Sequence, residues 1–258
     1  MTPVLSPSHP WADKLHCYEI LDSTNTKAKA LAQAGAPHGT CVFSKAQTQG
    51  KGRMGRSFSS PSGLGMYLSV VLRPNCPPAQ LMNLTCAVGV AACEAVKQVC
   101  GLEPGLKWIN DLVVGSQKLG GILCELSIAP KTGQVDFAIV GIGINCLQRV
   151  EDFPPELQSM ATSLRLLTGT SISPATLAAA MIDALSRMPL PFGNMDQYRK
   201  LCVTLGKPVQ VLQADHSYLA EAVSVDDAGA LIVKTPDGQQ TAVSSGEVSV
   251  RGLYGYNP

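Results

Sequence analysis

The sequence predicts an α+β fold in which a mixed or antiparallel sheet packs with helices, followed by a small β-barrel at the C-terminus. Apolar segments of strand length, such as 66–72 and 134–145, are interspersed with helical patterns over the first 205 residues. Beyond Gly206, five short segments of alternating polarity are separated by hairpin-like turns, which is typical of a small barrel. Because 258 residues suffice for one larger and one smaller domain, we expect domains at 1–205 and 206–258.

The N-terminal part of the chain is expected to supply three strands and two helices. The strands are predicted at 16–21, 39–46 and 66–72. A helix follows the first strand, with apolar residues at helical spacing and Ser23 or Thr24 as its cap. A second helix, at 79–99, is apolar nearly all round, so we expect it to pack against the sheet.

The remaining elements are a hairpin, a long strand, two helices and the barrel. The hairpin is predicted over 106–126, with its turn at Gly115 and Ser116. In the strand at 134–145, Gly141 and Gly143 mark points where backbone or ligand must come close. The helices are predicted at 174–187 and 195–202, and the barrel strands at 208–212, 218–225, 230–234, 241–243 and 248–251.

The composition is that of an ordinary globular protein, with a formal net charge of +1 and 45% apolar residues. A nearly neutral balance argues against a general nucleic-acid binder, which is normally basic over a whole domain. The N-terminus lacks a basic start, and no stretch approaches about 18 apolar residues, so we expect neither a signal peptide nor a membrane span. The nine cysteines form no C-x-x-C pair, and the four histidines form no metal-ligand cluster. These features predict a cytoplasmic protein.

The most informative stretch is the cationic loop at 47–58, which reads QTQGKGRMGRSF. It combines three glycines with Lys51, Arg53 and Arg56, and no Asp or Glu occurs between Asp22 and Glu94. Glycines let a backbone approach a ligand closely, and guanidinium groups bind carboxylates and phosphates through paired hydrogen bonds. A single-sign block in a nearly neutral chain indicates a field directed at a negative ligand, although a solvated basic loop is the plain alternative.

Two nucleotide-binding interpretations of the cationic loop fail. Its glycines satisfy G-x-G-x-x-G, but that fingerprint requires a helix start after the glycines and an acidic residue about 20 positions later. Here the following residues, RSFSSPSG, cannot begin a helix, and the strand at 66–72 has no acid at or near its end. The G-x-x-x-x-G-K-[ST] loop of nucleoside triphosphatases occurs nowhere in the chain.

Five separated motifs together resemble the biotin protein ligases. They are LDSTN at 21–25, QTQGKGRMGR at 47–56, KWIND at 107–111, KLGGIL at 118–123 and GIGIN at 141–145. Each motif alone is weak, but the order and spacing of all five are specific. Because SSGEVSVRG at 244–252 is also similar to the family's terminal domain, the resemblance extends over residues 16–252.

The resemblance implies a biotin/lipoate ligase-type catalytic domain with the fold of class II aminoacyl-tRNA synthetases, and an SH3-like C-terminal barrel. It also implies a two-step reaction, in which ATP activates biotin to biotinyl-5′-AMP with release of pyrophosphate, and a lysine of a biotin carboxyl carrier protein then accepts the biotin. The implied partner is this carrier domain, as in acetyl-CoA carboxylase, and homodimer formation stays open. The resemblance is to the monofunctional type, without an N-terminal DNA-binding domain, so neither DNA nor a membrane is expected as a partner.

Carried over by position, the site residues fall into three groups. Those implied to bind biotin or biotinyl-AMP are Ser23, Thr24, Asn25, Gln47, Lys51, Gly52, Arg53 and Lys118, of which Arg53 and Lys118 form the catalytic pair. Those implied to bind the nucleotide are Arg56, Lys107, Asn110 and Asn145, and Asp111 is the implied Mg²⁺ ligand. A carboxylate is already ionised at neutral pH, so its activation needs charge neutralisation and alignment and no general base.

Two positions depart from the family pattern. The family loop reads GRGRxGR, and Lys51 stands where its first arginine is expected, so the charge is kept while a planar fork of donors is lost. Ile109 replaces the proline of the family's KWPND motif, which loosens a turn and removes no functional side chain.

Plain alternatives remain for single residues and for the whole chain. Residues 23–25 could simply cap a helix, Asp111 could occupy a turn, Lys118 could be a solvated edge lysine, and Asn145 could end a strand. A lipoate or octanoate ligase would share the chemistry, but its glycine-rich motif carries an H-D pair that is absent here. A combined ligase and repressor would need a helix-turn-helix domain ahead of Leu21, where 20 residues stand. A non-catalytic biotin-binding module would not need Lys118, Asp111 and the cationic loop together.

Overall fold

The computed structural model describes residues 1–212, 216–244 and 249–252. Its helices are α1 (Thr24–Gln33), α2 (Leu84–Cys100), α3 (Leu164–Thr168), α4 (Pro174–Arg187) and α5 (Asp196–Leu201). The strands of the larger sheet are β1 (Leu15–Tyr18), β2 (Thr40–Ser44), β3 (Gly65–Leu72), β4 (Gly105–Lys107), β5 (Asp111–Val114), β6 (Gln117–Ile128) and β7 (Val135–Asn145). Those of the smaller sheet are β8 (Pro208–Leu212), β9 (Ser217–Val225), β10 (Leu231–Lys234), β11 (Gln240–Val243) and β12 (Ser249–Gly252).

The larger sheet is mixed, with the strand order β1-β2-β3-β7-β6-β5-β4. Strands β1 and β2 pair in parallel, and the other neighbouring strands pair antiparallel. In the centre of the sheet, Gly121 of β6 lies opposite Gly143 of β7, and Asn145 of β7 lies opposite Gly65 of β3. This sheet with its flanking helices confirms the predicted α+β class.

Helices cover both faces of the larger sheet, which is why its central strands are nearly all apolar. Every residue of β3 is buried, as expected for a strand covered on both sides. Helix α1 packs on one face in a small cluster of Ala28, Ala32, Val42, Val71, Phe137 and Ile139. Helices α2 and α4 contribute to the large apolar core, together with Leu68, Leu106 and Ile122.

The helical stretch Pro78–Cys100 is long and apolar enough, by length and composition alone, to cross a membrane. Most of its most apolar part is buried inside the protein, where α2 packs against α4 and the sheet. A central core helix satisfies the same criteria, because it too is apolar nearly all round. We therefore interpret this stretch as a core helix.

The smaller sheet is antiparallel, with the strand order β11-β10-β9-β8-β12. The turn between β9 and β10, at residues 226–229, contacts the larger domain. Trp108 Nε1 donates to the Gly229 carbonyl at 3.0 Å, and Asn83 Nδ2 donates to the Asp227 carbonyl at 2.9 Å. Asn83 precedes α2 and Trp108 follows β4, so the two sheets meet at the 226–229 turn.

Most predicted elements agree with the structure to within a few residues. The helix at 174–187 has the predicted bounds, and the long strand begins one residue later, at Val135. In the smaller sheet, residue 248 of the predicted last strand lies outside the described residues, and β12 covers the rest. The boundary near residue 205 stays a prediction.

Two predictions about helices need correction, and one helix was not predicted. The helix predicted at 79–99 begins only at Leu84, because the residues before it form a separate 3₁₀ turn at Pro78–Leu81, and such turns are frequent at the N-terminus of an α-helix. Ser23 occupies the position before α1, but its side chain forms no capping hydrogen bond. Helix α3 was not predicted, because five residues are too few to show a helical repeat.

Candidate active site

A cavity of about 310 Å³ lies over the glycine-rich centre of β6 and β7. The start of α1, the cationic loop, the β4–β5 turn and the segment after residue 153 enclose it. All the residues that the sequence assigns to the site line this cavity: Ser23, Thr24, Asn25, Gln47, Lys51, Gly52, Arg53, Arg56, Lys107, Asn110, Asp111, Lys118 and Asn145. The structure therefore brings together positions that are up to 122 residues apart in the chain, from Ser23 to Asn145.

Two glycines of β7 make room for protein side chains at the floor of the cavity. A Cβ atom at Gly141 would lie 2.0 Å from Asn25 Oδ1, and one at Gly143 would lie 2.6 Å from the Phe58 ring. Both contacts are far too short for a real side chain. The sequence predicted a close approach of backbone or ligand at these glycines, and the structure shows that neighbouring side chains make this approach.

The start of α1 forms a polar end of the cavity. The backbone N–H and the hydroxyl of Thr24 both donate to Gln47 Oε1, at 2.8 and 3.1 Å. Gln47 Nε2 in turn donates to Ser60 Oγ at 2.8 Å. Ser23, Thr24 and Asn25 are all buried, so these groups are held by the protein and face the cavity without bulk water around them.

The side chain of Asn25 is engaged on both sides. Its Nδ2 donates to Glu125 Oε2 at 2.7 Å and to the Leu123 carbonyl at 3.3 Å. Its Oδ1 lies 2.6 Å from Ser69 Oγ, which accounts for one of the two lone pairs. Since both amide hydrogens are used, a ligand can reach Asn25 only through the remaining lone pair.

The cationic loop is folded against the cavity by its own backbone. Phe58 N donates to the Gly50 carbonyl at 2.8 Å, and Gly52 N donates to the Arg56 carbonyl at 2.7 Å. A 3₁₀ turn at Arg53–Gly55 forms its tip, where Met54 has a φ of 55° and Gly55 a φ of 75°. Glycine suits position 55 because residues with a side chain rarely adopt a positive φ.

Arg53 links the cationic loop to the opposite wall of the cavity. Its Nη1 donates to Asn110 Oδ1 at 3.1 Å. Burial lowers the pKa of the Arg53 guanidinium, while the charge of Asp111 acts in the opposite direction. The guanidinium stays charged at any physiological pH, so the site holds a partly desolvated cation.

The charge of the cavity is strongly one-sided. Among its lining residues Lys51, Arg53, Arg56, Lys107 and Lys118 are cationic, and Asp111 is the single acid. Lys118 Nζ lies 2.7 Å from Asp111 Oδ1, in a pair that is mostly shielded from solvent. Five cations against one carboxylate in a narrow cleft create a field that favours anionic ligands.

The donor set fits a magnesium ion only with help from a ligand. Within the part of the chain that the structure describes, no group of three or more His, Cys, Asp or Glu side chains is placed to hold a metal. Asp111 alone supplies a carboxylate to this cavity. Mg²⁺ is commonly held by one or two carboxylates together with substrate phosphates and water, so one acid suffices when a phosphate is bound.

Asn145 is fixed at the far end of β7. Its Nδ2 donates to the Thr162 carbonyl at 3.0 Å, and Gln148 Nε2 donates to its Oδ1 at 3.2 Å. Lys118 N donates to the Met160 carbonyl, which ties the 153–161 segment over the same end of the cavity. This segment was missed at the sequence level, because it has no regular repeat and no chemically distinctive side chain.

Three further residues that contact the site were not predicted from the sequence: Ser69, Glu125 and Phe58. Ser69 interrupts an otherwise apolar strand, and an isolated polar residue in such a strand is the signal that could have revealed it. Glu125 lies in a strand that also holds Lys118 and Ser127, so it gave no comparable signal. Phe58 ends the cationic loop and gave no signal of its own. Trp108 is buried and lines the cavity.

A mixed sheet that carries a cationic, glycine-floored cavity with a separate polar end suits an enzyme that activates a carboxylate with the phosphate of a nucleotide. The family comparisons identify which one. The biotin/lipoate A/B protein ligase family matches residues 17–145, and the C-terminal domain of biotin protein ligases matches residues 204–251. The chain belongs to the biotin protein ligase family.

Individual relatives agree with this assignment. The bifunctional ligase/repressor BirA of Bacillus subtilis is 31% identical over 229 residues, which is 86% of this chain and 69% of that protein. The biotin–[acetyl-CoA-carboxylase] ligase of Mycobacterium tuberculosis is 30% identical over 88% of this chain and 85% of its own length. The biotin protein ligase of Aquifex aeolicus, solved with biotin and ATP, superposes with a TM-score of 0.77 at 28% identity and covers 93% of this chain and 99% of that chain.

Proposed function

We propose that this chain activates biotin with ATP to biotinyl-5′-AMP and pyrophosphate, and then transfers the biotin to a lysine of a biotin carboxyl carrier protein. The observation that carries the proposal is the cavity itself. Its polar end, formed by Ser23, Thr24, Asn25 and Gln47, lies next to five cationic side chains and one carboxylate. A neutral ring with a carboxylate tail and a nucleotide phosphate is the combination that such a cavity accommodates. The family membership supports the same reaction.

The polar end is proposed to bind the ureido ring of biotin. Ser23, Thr24 and Gln47 present hydroxyl and amide groups there, and Asn25 contributes its remaining lone pair. Gly141 and Gly143 of β7 form the floor of the cavity beneath the proposed position of the ureido ring. The aromatic ring of Phe58 lies against Gly143. The carboxylate tail would then extend toward the cationic loop.

The first step is proposed to take place between the cationic loop and Lys118. A biotin carboxylate oxygen attacks the α-phosphorus of ATP, a new P–O bond forms, and the bond to the leaving pyrophosphate breaks. No proton has to be removed, because the carboxylate is ionised at neutral pH. Lys51, Gly52, Arg53 and Lys118 hold the two anions in line and stabilise the charge that builds on the phosphate.

The nucleotide is proposed to lie toward the β4–β5 turn. Lys107, Asn110 and Asn145 line this part of the cavity, with Arg56 at the cationic loop. Asp111 would hold Mg²⁺, which would neutralise phosphate charge when bound. Asn110 already accepts from Arg53, so it connects the nucleotide side to the loop.

In the second step the amine of the carrier lysine attacks the carbonyl carbon of the mixed anhydride. An amide bond forms, the C–O bond to the phosphate breaks, and AMP leaves. The amine loses a proton to solvent in this step, and none of the predicted residues is required to act as its base. The acceptor is proposed to be the carrier domain of a carboxylase such as acetyl-CoA carboxylase, in the cytoplasm, and homodimer formation stays open.

Pyrophosphate release that depends on both biotin and ATP tests the proposal. The purified chain should release pyrophosphate with biotin and should fail to do so with lipoate or octanoate. Added carrier protein should then become biotinylated on a lysine, as detected by mass spectrometry. Equal activity with lipoate would instead assign the chain to the lipoate branch, and biotin binding without pyrophosphate release would indicate a non-catalytic module.

A further inference from the structure

We infer that Glu125 is a positioning residue for the biotin end of the cavity, acting through the side chain of Asn25. This inference rests on the proposed function. Glu125 is not among the residues that line the cavity, so it has no direct contact with a ligand there. Its carboxylate is joined to the cavity wall by one short hydrogen bond, in which Asn25 Nδ2 donates to Glu125 Oε2 at 2.7 Å.

Glu125 determines the orientation of the Asn25 side-chain amide, that is, the sides to which its NH₂ group and its oxygen point. An amide group has a donor end and an acceptor end of almost equal size, and only its hydrogen-bond partners distinguish the two orientations. The Glu125 carboxylate and the Leu123 carbonyl accept hydrogen bonds and cannot donate them, so both require the NH₂ group on their side. The oxygen of the amide must then face β3 and β7.

The orientation of Asn25 is passed on to the residues that face the ligand. Ser69 Oγ lies 2.6 Å from Asn25 Oδ1 and 2.8 Å from Thr24 Oγ1. Ser69 is fully buried, and Thr24 and Asn25 are each 4% exposed, so bulk water cannot replace a partner that is lost. Thr24 in turn contacts Gln47 through its hydroxyl and its backbone N–H. Polar contacts within hydrogen-bond distance therefore lead from Glu125 to the polar end, and the single hydrogen of the Ser69 hydroxyl serves either Asn25 or Thr24 at one time.

The packing around Asn25 leaves the amide no easy second position. Its Oδ1 sits directly over Gly141, where an added Cβ would lie 2.0 Å away. Without the Glu125 carboxylate, the NH₂ group of Asn25 would lose the stronger of its two acceptors. If the amide then rotated by 180°, it would point its NH₂ group at β7 and lose the hydrogen bond from Ser69. Thr24 and Gln47 would then no longer be held in one arrangement.

The test uses three variants and a matched control. Glu125→Leu removes the acceptor at similar volume, whereas Glu125→Gln keeps an oxygen that can accept from Asn25. Ser69→Ala interrupts the same set of hydrogen bonds one step further on. The control is Ser127→Ala, on the same strand and face as Glu125 and two residues further along β6. Biotin affinity is measured by calorimetry, and KM values for biotin and ATP are measured from pyrophosphate release without carrier protein.

We expect Glu125→Leu to weaken biotin binding about tenfold or more, because a hydrogen bond to a charged group is lost in a buried site. The KM for ATP should change by less than about twofold, and Glu125→Gln and Ser127→Ala should remain close to the unmodified protein. Ser69→Ala should weaken biotin binding in the same direction. Adding it to Glu125→Leu should cost less than the two single changes combined, since both act through Asn25.

Unchanged biotin affinity in folded Glu125→Leu would overturn the inference, and so would a parallel loss of biotin and ATP affinity together with the melting temperature. Should Glu125→Leu not fold, normal biotin affinity in Ser69→Ala would have the same consequence. The unmodified protein separates this result from the proposed function. If it forms biotinyl-AMP, the function holds whatever the Glu125 variants do.

Discussion

Arg53 places a positive charge in the part of the cavity where the biotin carboxylate and the ATP phosphate are proposed to react. It reaches across the cavity to Asn110 and lies within the field of Asp111. A partly buried guanidinium has already lost some of its hydration, so a carboxylate or phosphate can pair with it at less desolvation cost than in open solvent. Such a residue contributes to ligand affinity more than to the stability of the fold.

Arg53→Ala should weaken binding of biotin and of biotinyl-AMP about 10- to 100-fold, because charged hydrogen bonds contribute roughly 1.5–3 kcal/mol. The melting temperature should fall only slightly. Calorimetric titration with biotin provides the measurement, and Arg149→Ala, an exposed arginine outside the cavity, is the control. A folded Arg53→Ala protein with normal biotin affinity would remove Arg53 from the site.

Lys118 is held by an ion pair and also stands beside the proposed reacting atoms. Its Nζ lies 2.7 Å from Asp111 Oδ1, and its backbone N–H and carbonyl both bond the 160–162 segment. The backbone bonds do not depend on the side chain, so truncation should leave this part of the fold in place. The side chain is therefore available for catalysis with little structural consequence.

Lys118→Ala should depress the rate of biotinyl-AMP formation by at least about tenfold, since one cation that stabilises the phosphate is lost. The melting temperature should change little, because the backbone hydrogen bonds of Lys118 to the 160–162 segment remain. Pyrophosphate release at saturating biotin and ATP measures the effect. Lys131→Ala serves for comparison, because Lys131 is exposed in the turn between β6 and β7. Full activity of Lys118→Ala would indicate a solvated lysine without a catalytic role.

At the scale of elements, the cationic loop is the segment that brings the most positive charge to the cavity. It is held by a few backbone hydrogen bonds and by the contact of Arg53 with Asn110. Its three cations repel one another until an anion binds between them. Closure over the ligand would also keep water away from a reactive mixed anhydride.

We predict that the segment 47–62, which contains the cationic loop, is mobile without ligand and is ordered by biotin, and more so by biotinyl-AMP. Trypsin cleaves after lysine and arginine, so Lys51, Arg53 and Arg56 are its natural sites in this loop. Cleavage between Lys51 and Arg56 should be rapid in the free protein and at least about tenfold slower with saturating biotin and ATP. Equal rates of cleavage with and without ligand would contradict a closing loop.

At the scale of the whole molecule, the smaller sheet supports a wall of the cavity. The 226–229 turn accepts a hydrogen bond from Trp108, and Trp108 lines the cavity. Arg199 of α5 also bonds this region, through the Val225 carbonyl and the Asp227 carboxylate. The smaller sheet is therefore proposed to matter for catalysis although none of the predicted site residues lies in it.

Removal of the chain beyond residue 205 should abolish normal turnover, and Gly229→Ala offers a finer test. Gly229 and Gly238 both have positive φ, so alanine at either position should lower stability by about 1 kcal/mol. Gly229 lies against Asn83 and Cys86, whereas nothing lies within 4 Å of a Cβ at Gly238. Only Gly229→Ala should lower the rate of biotinyl-AMP formation. A soluble truncated protein with normal turnover would refute the proposal.

Local patterns in the sequence predicted most strands and helices in their order, and the motifs that resemble the biotin protein ligases indicated many of the residues that line the cavity. Strand 66–72 and helix 174–187 carry strong apolar repeats, which reflect burial directly. Cationic and glycine-rich motifs likewise depend on short stretches of chain. These features are local, so they can be recognised before the fold is known.

Only the tertiary structure decided which of these residues face the cavity and which form hydrogen bonds or packing contacts with other side chains. Asn25 and Glu125 are 100 residues apart, and no local pattern links them, yet their hydrogen bond orients one end of the cavity. The glycines at 141 and 143 were recognised as points of close approach, but the side chains that fill those points, Asn25 and Phe58, come from distant segments. Such pairings depend on the register of β6 and β7 and on the packing of α1, and these are properties of the assembled sheet.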